Sequence, residues 1–186
     1  MNKIDWIILD IDGVIVGEKV GFNSPHPHPK IIEQLRILRN TGIGISLCTA
    51  KPHFGIKSII ESAQLNNIHI TDGGGVIIDP IEAIVVKQRL IDSEIARKLL
   101  EVFLANDVYV EFYTVDDYYI NKYQKSFITS KHTQILQQEP IYITSFDSGL
   151  EVFDITKIMP IAIDESEKNR IAELVDPFLG ALELRW

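Results

Sequence analysis

The sequence predicts an open α/β fold with a parallel sheet over residues 1–88, joined to an α+β module over residues 89–186. The first part rests on the order of apolar run, helical pattern and second apolar run between Trp6 and Cys48, which is typical of a β-α-β unit. The second part rests on a change of pattern after Leu90, where helices and strands stop alternating strictly.

The first strand is predicted at residues 6–9, and polar residues follow it directly. Residues 7–9 are adjacent apolar residues without alternation, so we expect a strand that is buried on both faces. Asp10, Asp12 and Gly13 come next, at the carboxyl end, which is where open α/β sheets place their ligands. The sequence therefore predicts a functional site at this end of the first strand.

The spacing of Asp10 and Asp12 turns both carboxylates the same way if the strand continues. Two carboxylates so close together repel each other unless a cation or a shared proton offsets their charge. Mg²⁺ is a suitable cation because it prefers oxygen ligands. One carboxylate could attack a phosphoryl group while the other passes a proton to the leaving group. The alternative interpretation is an ordinary turn, because Asp and Gly are common turn residues.

The composition restricts the partners and the compartment. The net charge of −8 argues against binding to a nucleic-acid backbone. No stretch approaches the length of a membrane span and no signal segment is recognisable, so we expect a cytoplasmic protein without membrane contacts. The single cysteine, Cys48, cannot form an internal disulfide, and its apolar neighbours predict that it is buried.

A helix is predicted over residues 30–40 and a second strand over residues 43–48, followed by Thr49, Ala50 and Lys51. Parallel strands place their carboxyl ends at one edge of a sheet, so Thr49 and Lys51 are expected to face the two acids. A hydroxyl and an ammonium group there would hold a phosphoryl group. The alternatives are a helix cap for Thr49 and a solvated surface charge for Lys51.

The rest of the first half contains a helix over residues 54–64, a short strand over residues 68–70 and a glycine run that includes Gly73. The glycines indicate either close approach of the backbone to a ligand or a tight turn. A hairpin is predicted over residues 76–86. His26 and His28 lie in a proline-rich loop, which we interpret as an extended segment rather than a metal site.

The second half is predicted from periodicity alone. Residues 126–138 are polar and only weakly patterned, and Ser166 is expected to cap the last helix. The remaining predicted elements are a helix over 92–106, strands over 108–113, 118–121, 150–153 and 158–163, a helix after 166 and a final strand over 181–186.

Three segments together resemble the haloacid dehalogenase-like superfamily, specifically its Cof-like sugar-phosphate phosphatase branch. They are residues 10–14 after the first strand, 46–52 after the second and 71–74 after the third. The resemblance covers the whole chain. It implies a Rossmann-like core whose N-terminal half is residues 1–88, and an inserted α+β cap domain in residues 89–186.

The resemblance also implies roles for the residues of these segments. Asp10 would be the nucleophile that forms an aspartyl-phosphate, and Asp12 the general acid and base. Mg²⁺ would be held by the Asp10 carboxylate and the Asp12 main-chain carbonyl. Thr49, Ala50, Lys51 and Gly73 would bind the substrate, a small phosphorylated metabolite. A phosphotransferase or mutase would use the same intermediate.

The sequence departs from the pattern of that branch at several positions. Val14 stands where Thr is common, and Asp72 stands where Asn is usual. Ala50 and Lys51 replace Gly-Arg, so the basic group remains but the bidentate hydrogen bonding of an arginine is lost. The lysine and the strand-borne acids that follow the cap in the family have no counterpart before Trp186. We predict a Mg²⁺-dependent phosphomonoester hydrolase of the sugar-phosphate class, with a phosphotransferase or mutase, or a catalytically incomplete fragment or binding subunit, as the alternatives. A homo-oligomer or a complementing C-terminal chain is expected to cover the open core.

Overall fold

The computed structural model describes residues 4–145 and 152–182. The chain divides into two compact units, Met1–Arg89 with Lys131–Gln138, and Leu90–Ser130 with Glu139–Trp186. Compactness does not identify a unit as a catalytic core or a cap, so the division into domains at residue 88 stays a prediction.

The first unit begins with the predicted β-α-β arrangement. Strands β1 (Trp6–Leu9) and β2 (Gly44–Leu47) are parallel and in register from their first to their last residues. Helix α1 (Pro29–Asn40) connects them; Pro29 occupies its first turn, and Nδ1 of His28 accepts a hydrogen bond from the Lys30 amide at 3.2 Å. The predicted α/β class with a parallel sheet is confirmed.

A third strand joins this sheet only through one pair of bridged residues. Helix α2 (Lys57–Ala63), preceded by a short 3₁₀ turn, leads to strand β3 (His69–Thr71). A parallel bridge joins Cys48 to Ile70, and β3 then pairs antiparallel with β4 (Val76–Asp79), which pairs with β5 (Ile84–Gln88). The carboxyl ends of β1, β2 and β3 are therefore neighbours at one edge.

One face of β1 is exposed, so the prediction of a strand buried on both faces is wrong. Trp6 and Ile8 are 49% and 60% exposed, and Cys48, which was predicted to be buried, is also exposed. The opposite face is covered, because α1 contacts β2 and α2, and the inward residues Ile45 and Leu47 are fully buried. The pattern of apolar residues indicates a strand, but it does not show whether another part of the chain covers each face of that strand.

The second unit is a four-stranded mixed sheet with the order β8-β7-β6-β9. Its elements are α3 (Ser93–Ala105), β6 (Val110–Tyr113), β7 (Tyr118–Asn121), β8 (Ile141–Ile143), β9 (Lys157–Pro160) and α5 (Glu165–Val175). Helix α4 (Phe127–Leu136) begins in this unit, and its residues from Lys131 onward belong to the first unit. Residues of α3, β6 and α5 form the core, among them Leu100, Phe103, Val110, Phe112 and Ile171.

Several expectations for the second half are revised. Residues 127–136 form α4 although their polar pattern gave no strong helix signal. The cap of α5 is Asp164, whose carboxylate accepts from the Glu167 amide at 2.8 Å, rather than Ser166. Strands were also predicted over residues 150–153 and 181–186. Residues 150–151 and 183–186 lie outside the described part, and residues 152–153 and 181–182 are not in strands.

Within the described ranges 4–145 and 152–182, every helix is too short or too polar to cross a membrane.

Candidate active site

The turn after β1 holds the two acids. Ile11 lies between them and is fully buried, and its carbonyl accepts hydrogen bonds from the amides of Ile15 and Val16 at 3.0 and 2.8 Å. The Asp10 Oδ1 atom accepts from the Ile11 amide at 2.7 Å. Gly13 has a φ of +77°, a conformation that side chains disfavour. The buried Ile11 thus anchors a tight turn that fixes both acids at the end of the strand.

The segment after β2 places Thr49 and Lys51 at the same edge. Thr49 is buried, its amide donates to the Ile70 carbonyl at 3.0 Å, and its Oγ1 accepts from the Lys51 amide at 3.2 Å. Ala50 is exposed between them. The alternative role of Thr49 as a helix cap is excluded, because the next helical turn begins at His53 with Pro52 in the cap position.

Main-chain hydrogen bonds tie this segment to the turn after β3. The Asp72 amide donates to the Lys51 carbonyl and the Gly73 amide donates to the Thr49 carbonyl, both at 3.0 Å. Asp72 and Gly73 have φ values of +52° and +65°, so the glycine run here forms a left-handed turn. The two turns are therefore one hydrogen-bonded structure beside the acids.

Lys51 contacts Asp12 across the sheet edge. The ammonium group hydrogen-bonds both carboxylate oxygens of Asp12 in an ion pair. The Lys51 side chain is 11% exposed, whereas that of Asp12 is 60% exposed. From the sequence, Lys51 is predicted to bind the phosphoryl group, whereas this ion pair is not predicted because Lys51 and Asp12 are 39 positions apart. Lys51 is therefore not a freely solvated surface charge.

Asp10 lies in the same turn as Asp12, and its carboxylate accepts a hydrogen bond from the Ile11 amide between them. Within residues 4–145 and 152–182, no side-chain hydrogen bond links Asp10 to Asp12, Thr49 or Lys51. The same ranges contain no group of three or more His, Cys, Asp or Glu residues placed to hold a metal ion. The loop residue His28 caps α1 through its side chain.

A cavity of about 620 Å³ opens beside this turn. Its wall is formed by the chain that follows Asp12 and by the start of α1. The lining includes Gly13, Val14, Val16, Phe22, His28 and Lys30. From the sequence, residues 17–29 are predicted only as a loop near the site.

The second unit contains a buried polar cluster that the sequence analysis missed. Glu111 is fully buried, and the hydroxyl groups of Tyr109, at 2.9 Å, and Tyr113 donate to its two carboxylate oxygens. Burial and the neighbouring Glu111 charge raise the pKa of Tyr113 well above its ordinary value, so it remains a protonated donor. The period-two spacing of Tyr109, Glu111 and Tyr113 in the sequence was the available signal.

The sequence pattern of the haloacid dehalogenase-like hydrolases matches residues 7–182. The chain belongs to this family. The match spans both units, and the acids of the β1 turn lie at its N-terminal end. A search of the curated proteins found no match.

Solved structures of this family share the fold. A haloacid dehalogenase-like hydrolase from Bacteroides thetaiotaomicron is 18% identical, with a TM-score of 0.81 over 99% of this chain and 68% of that chain. One from B. subtilis is 20% identical, with a TM-score of 0.73 over 92% and 66%. The subclass IIB sugar phosphatase BT4131 is 17% identical, with a TM-score of 0.71 over 92% and 64%.

The chain therefore spans about two thirds of the length of the solved family members it matches. The remaining third of each of those chains has no counterpart in these 186 residues.

Proposed function

We propose that this family member is a phosphomonoester hydrolase that acts on sugar phosphates or similar small metabolites through an aspartyl-phosphate on Asp10. The observation that carries the proposal is the convergence of Asp10, Asp12, Thr49 and Lys51 at one sheet edge. The sugar phosphatase among the structural neighbours supports this substrate class.

In the first step, a carboxylate oxygen of Asp10 attacks phosphorus, and the bond from phosphorus to the leaving oxygen breaks. Asp12 in its protonated form gives its proton to that oxygen. In the second step, water attacks phosphorus, Asp12 takes a proton from that water, and the bond from phosphorus to the Asp10 oxygen breaks, so that inorganic phosphate leaves and the Asp10 carboxylate is restored. Asp10 suits the first role because its carboxylate is exposed and hydrogen-bonded by a main-chain amide.

The ion pair of Lys51 with Asp12 implies an exchange of partners when substrate binds. In the structure both carboxylate oxygens of Asp12 accept hydrogen bonds from the Lys51 ammonium group, so neither is free to face a leaving group. A dianionic phosphoryl group offers Lys51 a stronger partner, so we propose that Lys51 transfers to it and leaves Asp12 free to carry a proton. The Thr49 hydroxyl contributes a further hydrogen bond to a phosphoryl oxygen, and the small, exposed side chain of Ala50 leaves room for the group. The Gly73 amide already donates to the Thr49 carbonyl, so Gly73 would contact the substrate only through its lack of a side chain.

The family implies Mg²⁺, which would offset the charge of the nucleophile and the phosphate. Asp10 and Asp12 supply one carboxylate and one main-chain carbonyl, whereas Mg²⁺ requires six oxygens in octahedral geometry. The described residues do not complete such a site. We therefore propose millimolar Mg²⁺ affinity and slow turnover for residues 1–186 alone. Isothermal titration with Mg²⁺ measures this affinity, and micromolar binding would show that other acids complete the site.

Chemical trapping tests the proposed nucleophile even when turnover is slow. The chain is incubated with a small acyl phosphate, and borohydride then reduces any aspartyl-phosphate to homoserine, which peptide mass spectrometry locates. We expect homoserine at position 10 in the unaltered chain and none in Asp10→Asn. Asp92→Asn is the control, because asparagine also caps helices and Asp92 lies at the start of α3. Equal trapping in Asp10→Asn would refute the mechanism.

Two other functions use the same residues. A phosphotransferase or mutase would return the phosphoryl group to a second sugar, so product analysis would find little inorganic phosphate. A subunit that binds phosphorylated ligands without turnover would show no trapped intermediate. We favour the hydrolase because the chain belongs to a hydrolase family.

A further inference from the structure

The cavity beside the β1 turn is built on the chain that follows the proposed general acid. Gly13 comes directly after Asp12, and a parallel main-chain bridge joins Asp12 to Val16. Gly13 and Val16 both belong to the cavity wall. Because bridged strands lie about 5 Å apart, one end of the cavity adjoins Asp12.

The proposed mechanism determines where a leaving group must lie. Asp12 protonates the leaving oxygen, so that oxygen has to come within hydrogen-bond distance of the Asp12 carboxylate. In that mechanism the phosphoryl group lies toward Thr49 and Lys51, and the rest of the leaving alcohol extends away from it. The cavity of about 620 Å³ adjoins this position and falls within the range of about 300 to 1,000 Å³ that is usual for small-molecule sites.

The cavity wall is largely apolar and contains an aromatic ring. Val14, Val16 and Ile31 supply aliphatic surface. Phe22 is 52% exposed, and its ring centroid lies 4.5 Å from that of His28, with the two planes tilted by 48°. A flat apolar ring can pack against these side chains, whereas an open-chain polyol would place hydroxyl groups against carbon atoms that offer no hydrogen bond. The wall therefore favours a ring over a polyol.

Lys30 adds a positive charge to this wall. It is exposed in the first turn of α1, and the described residues that line the cavity include no Asp or Glu. The cavity thus differs from the rest of a chain whose net charge is −8. An anionic substituent on the leaving group would be attracted to Lys30 without meeting a carboxylate on the wall.

We propose that this cavity binds the leaving group of the substrate, and that Phe22 and Lys30 determine which phosphate esters are accepted. The proposal rests on the proposed function and narrows its substrate class to esters of alcohols that carry a flat apolar ring with an anionic substituent. Phe22 packs against the ring, and Lys30 pairs with the substituent. Both residues act on the choice of substrate rather than on bond formation at Asp10.

Single-turnover trapping of the aspartyl-phosphate tests the role of Phe22 with two matched variants. Phe22→Ala removes the ring, and Val20→Ala shortens a residue of the same loop that is 84% exposed and lies outside the cavity wall. We expect Phe22→Ala to slow trapping from para-carboxybenzyl phosphate by roughly tenfold or more, as for the loss of one buried aromatic contact. Trapping from acetyl phosphate should fall far less, because that substrate has no ring. Val20→Ala should behave like the unaltered chain with both substrates.

The charge of Lys30 is tested by a comparison of two esters. The unaltered chain should be trapped faster from para-carboxybenzyl phosphate than from benzyl phosphate, by about threefold, as for an exposed ion pair. We expect Lys30→Met to lose this preference. Lys57→Met, at the start of α2, should keep it. A preference that Lys30→Met retains in full would show that Lys30 does not pair with the substituent.

Binding of para-carboxybenzyl phosphonate, which cannot be hydrolysed, separates this proposal from the proposed function. Isothermal titration should show an affinity that is roughly tenfold lower in Phe22→Ala than in Val20→Ala. If no substrate gives homoserine but this difference is found, the aspartyl-phosphate mechanism is refuted and the cavity is supported. Equal phosphonate affinities in the two variants would overturn the proposal. Equal slowing of both substrates by Phe22→Ala, or faster trapping from glycerol phosphate than from the benzyl esters, would also overturn it.

Discussion

The main-chain amide of Leu47 donates a hydrogen bond to Nδ1 of His69 at 3.0 Å. Two residues earlier along the chain in each case, the Ile45 amide of β2 donates to Oδ1 of Asn67, which precedes β3, at 2.9 Å. Side chains thus take the place of main-chain acceptors along β2 until the bridge at Cys48. Because Nδ1 accepts, we assign the proton of the neutral ring to Nε2.

This arrangement predicts that protonation of His69 destabilises the fold. Burial, chiefly, and the nearby His53 lower the pKa of His69 from 6.5 to about 4, while Asp79 opposes the shift. The unfolded chain therefore binds a proton at higher pH than the folded chain. The stabilisation is complete above pH 6.5 and is lost as the pH falls toward 4, by about 3 kcal/mol in total.

Urea unfolding at a series of pH values measures this loss. His69→Gln is the comparison, because its amide oxygen can accept from Leu47 and its side chain does not titrate. We expect the difference in unfolding free energy between the two proteins to change mainly over the window from 6.5 to about 4. Parallel curves for the two proteins would show that His69 does not carry the effect.

Removal of the Lys51 charge should slow phosphorylation of Asp10. We expect Lys51→Met to lower the rate of trapping from an acyl phosphate by about a hundredfold or more, because one positioned electrostatic group contributes this much to a phosphoryl transition state. Lys51→Arg should retain part of the rate. Lys57→Met, at the start of α2 in the same unit, is the control. The prediction fails if Lys51→Met and Lys57→Met are trapped equally fast.

The role of Asp12 should depend on the leaving group. With an acyl phosphate, whose leaving carboxylate needs no proton, Asp12→Asn should form the aspartyl-phosphate at close to the normal rate. With an alkyl phosphate, the same variant should be slower by about a hundredfold or more, since general acid catalysis contributes on this scale. Rapid-quench measurements with both substrates give the comparison. Equal slowing with both would assign Asp12 to binding instead.

Gly13 should be needed for its backbone conformation. A Cβ atom at Gly13 meets nothing within 4 Å, so Gly13→Ala costs only the strain of a φ of +77°, about 1 to 2 kcal/mol. Gly21, with a φ of +76° and the same open surroundings, is a matched control. We expect similar losses of stability in denaturant unfolding, but reduced Asp10 phosphorylation only in Gly13→Ala. Equal phosphorylation in both variants would show that this turn does not position the acids.

Several local features could be predicted from the sequence because they depend on neighbouring residues. The apolar run of β1, the periodicity of α1 and the acids that end the first strand are all visible within short windows. Helix α4 was not recognised because its apolar positions form no clear stripe. The cap of α5 was misplaced by two residues, since Asp164 and Ser166 are both favourable capping residues.

The sequence by itself determined the α/β class, the order of the first strands and the residue types at the candidate site. Only the tertiary structure decided that Lys51 is paired with Asp12, that His69 serves as an acceptor for β2 and that one face of β1 is exposed. The physical reason is the range of the interactions. Periodicity and capping act over a few residues, whereas an ion pair, a side-chain acceptor or the covering of a sheet face depends on segments that only folding brings together.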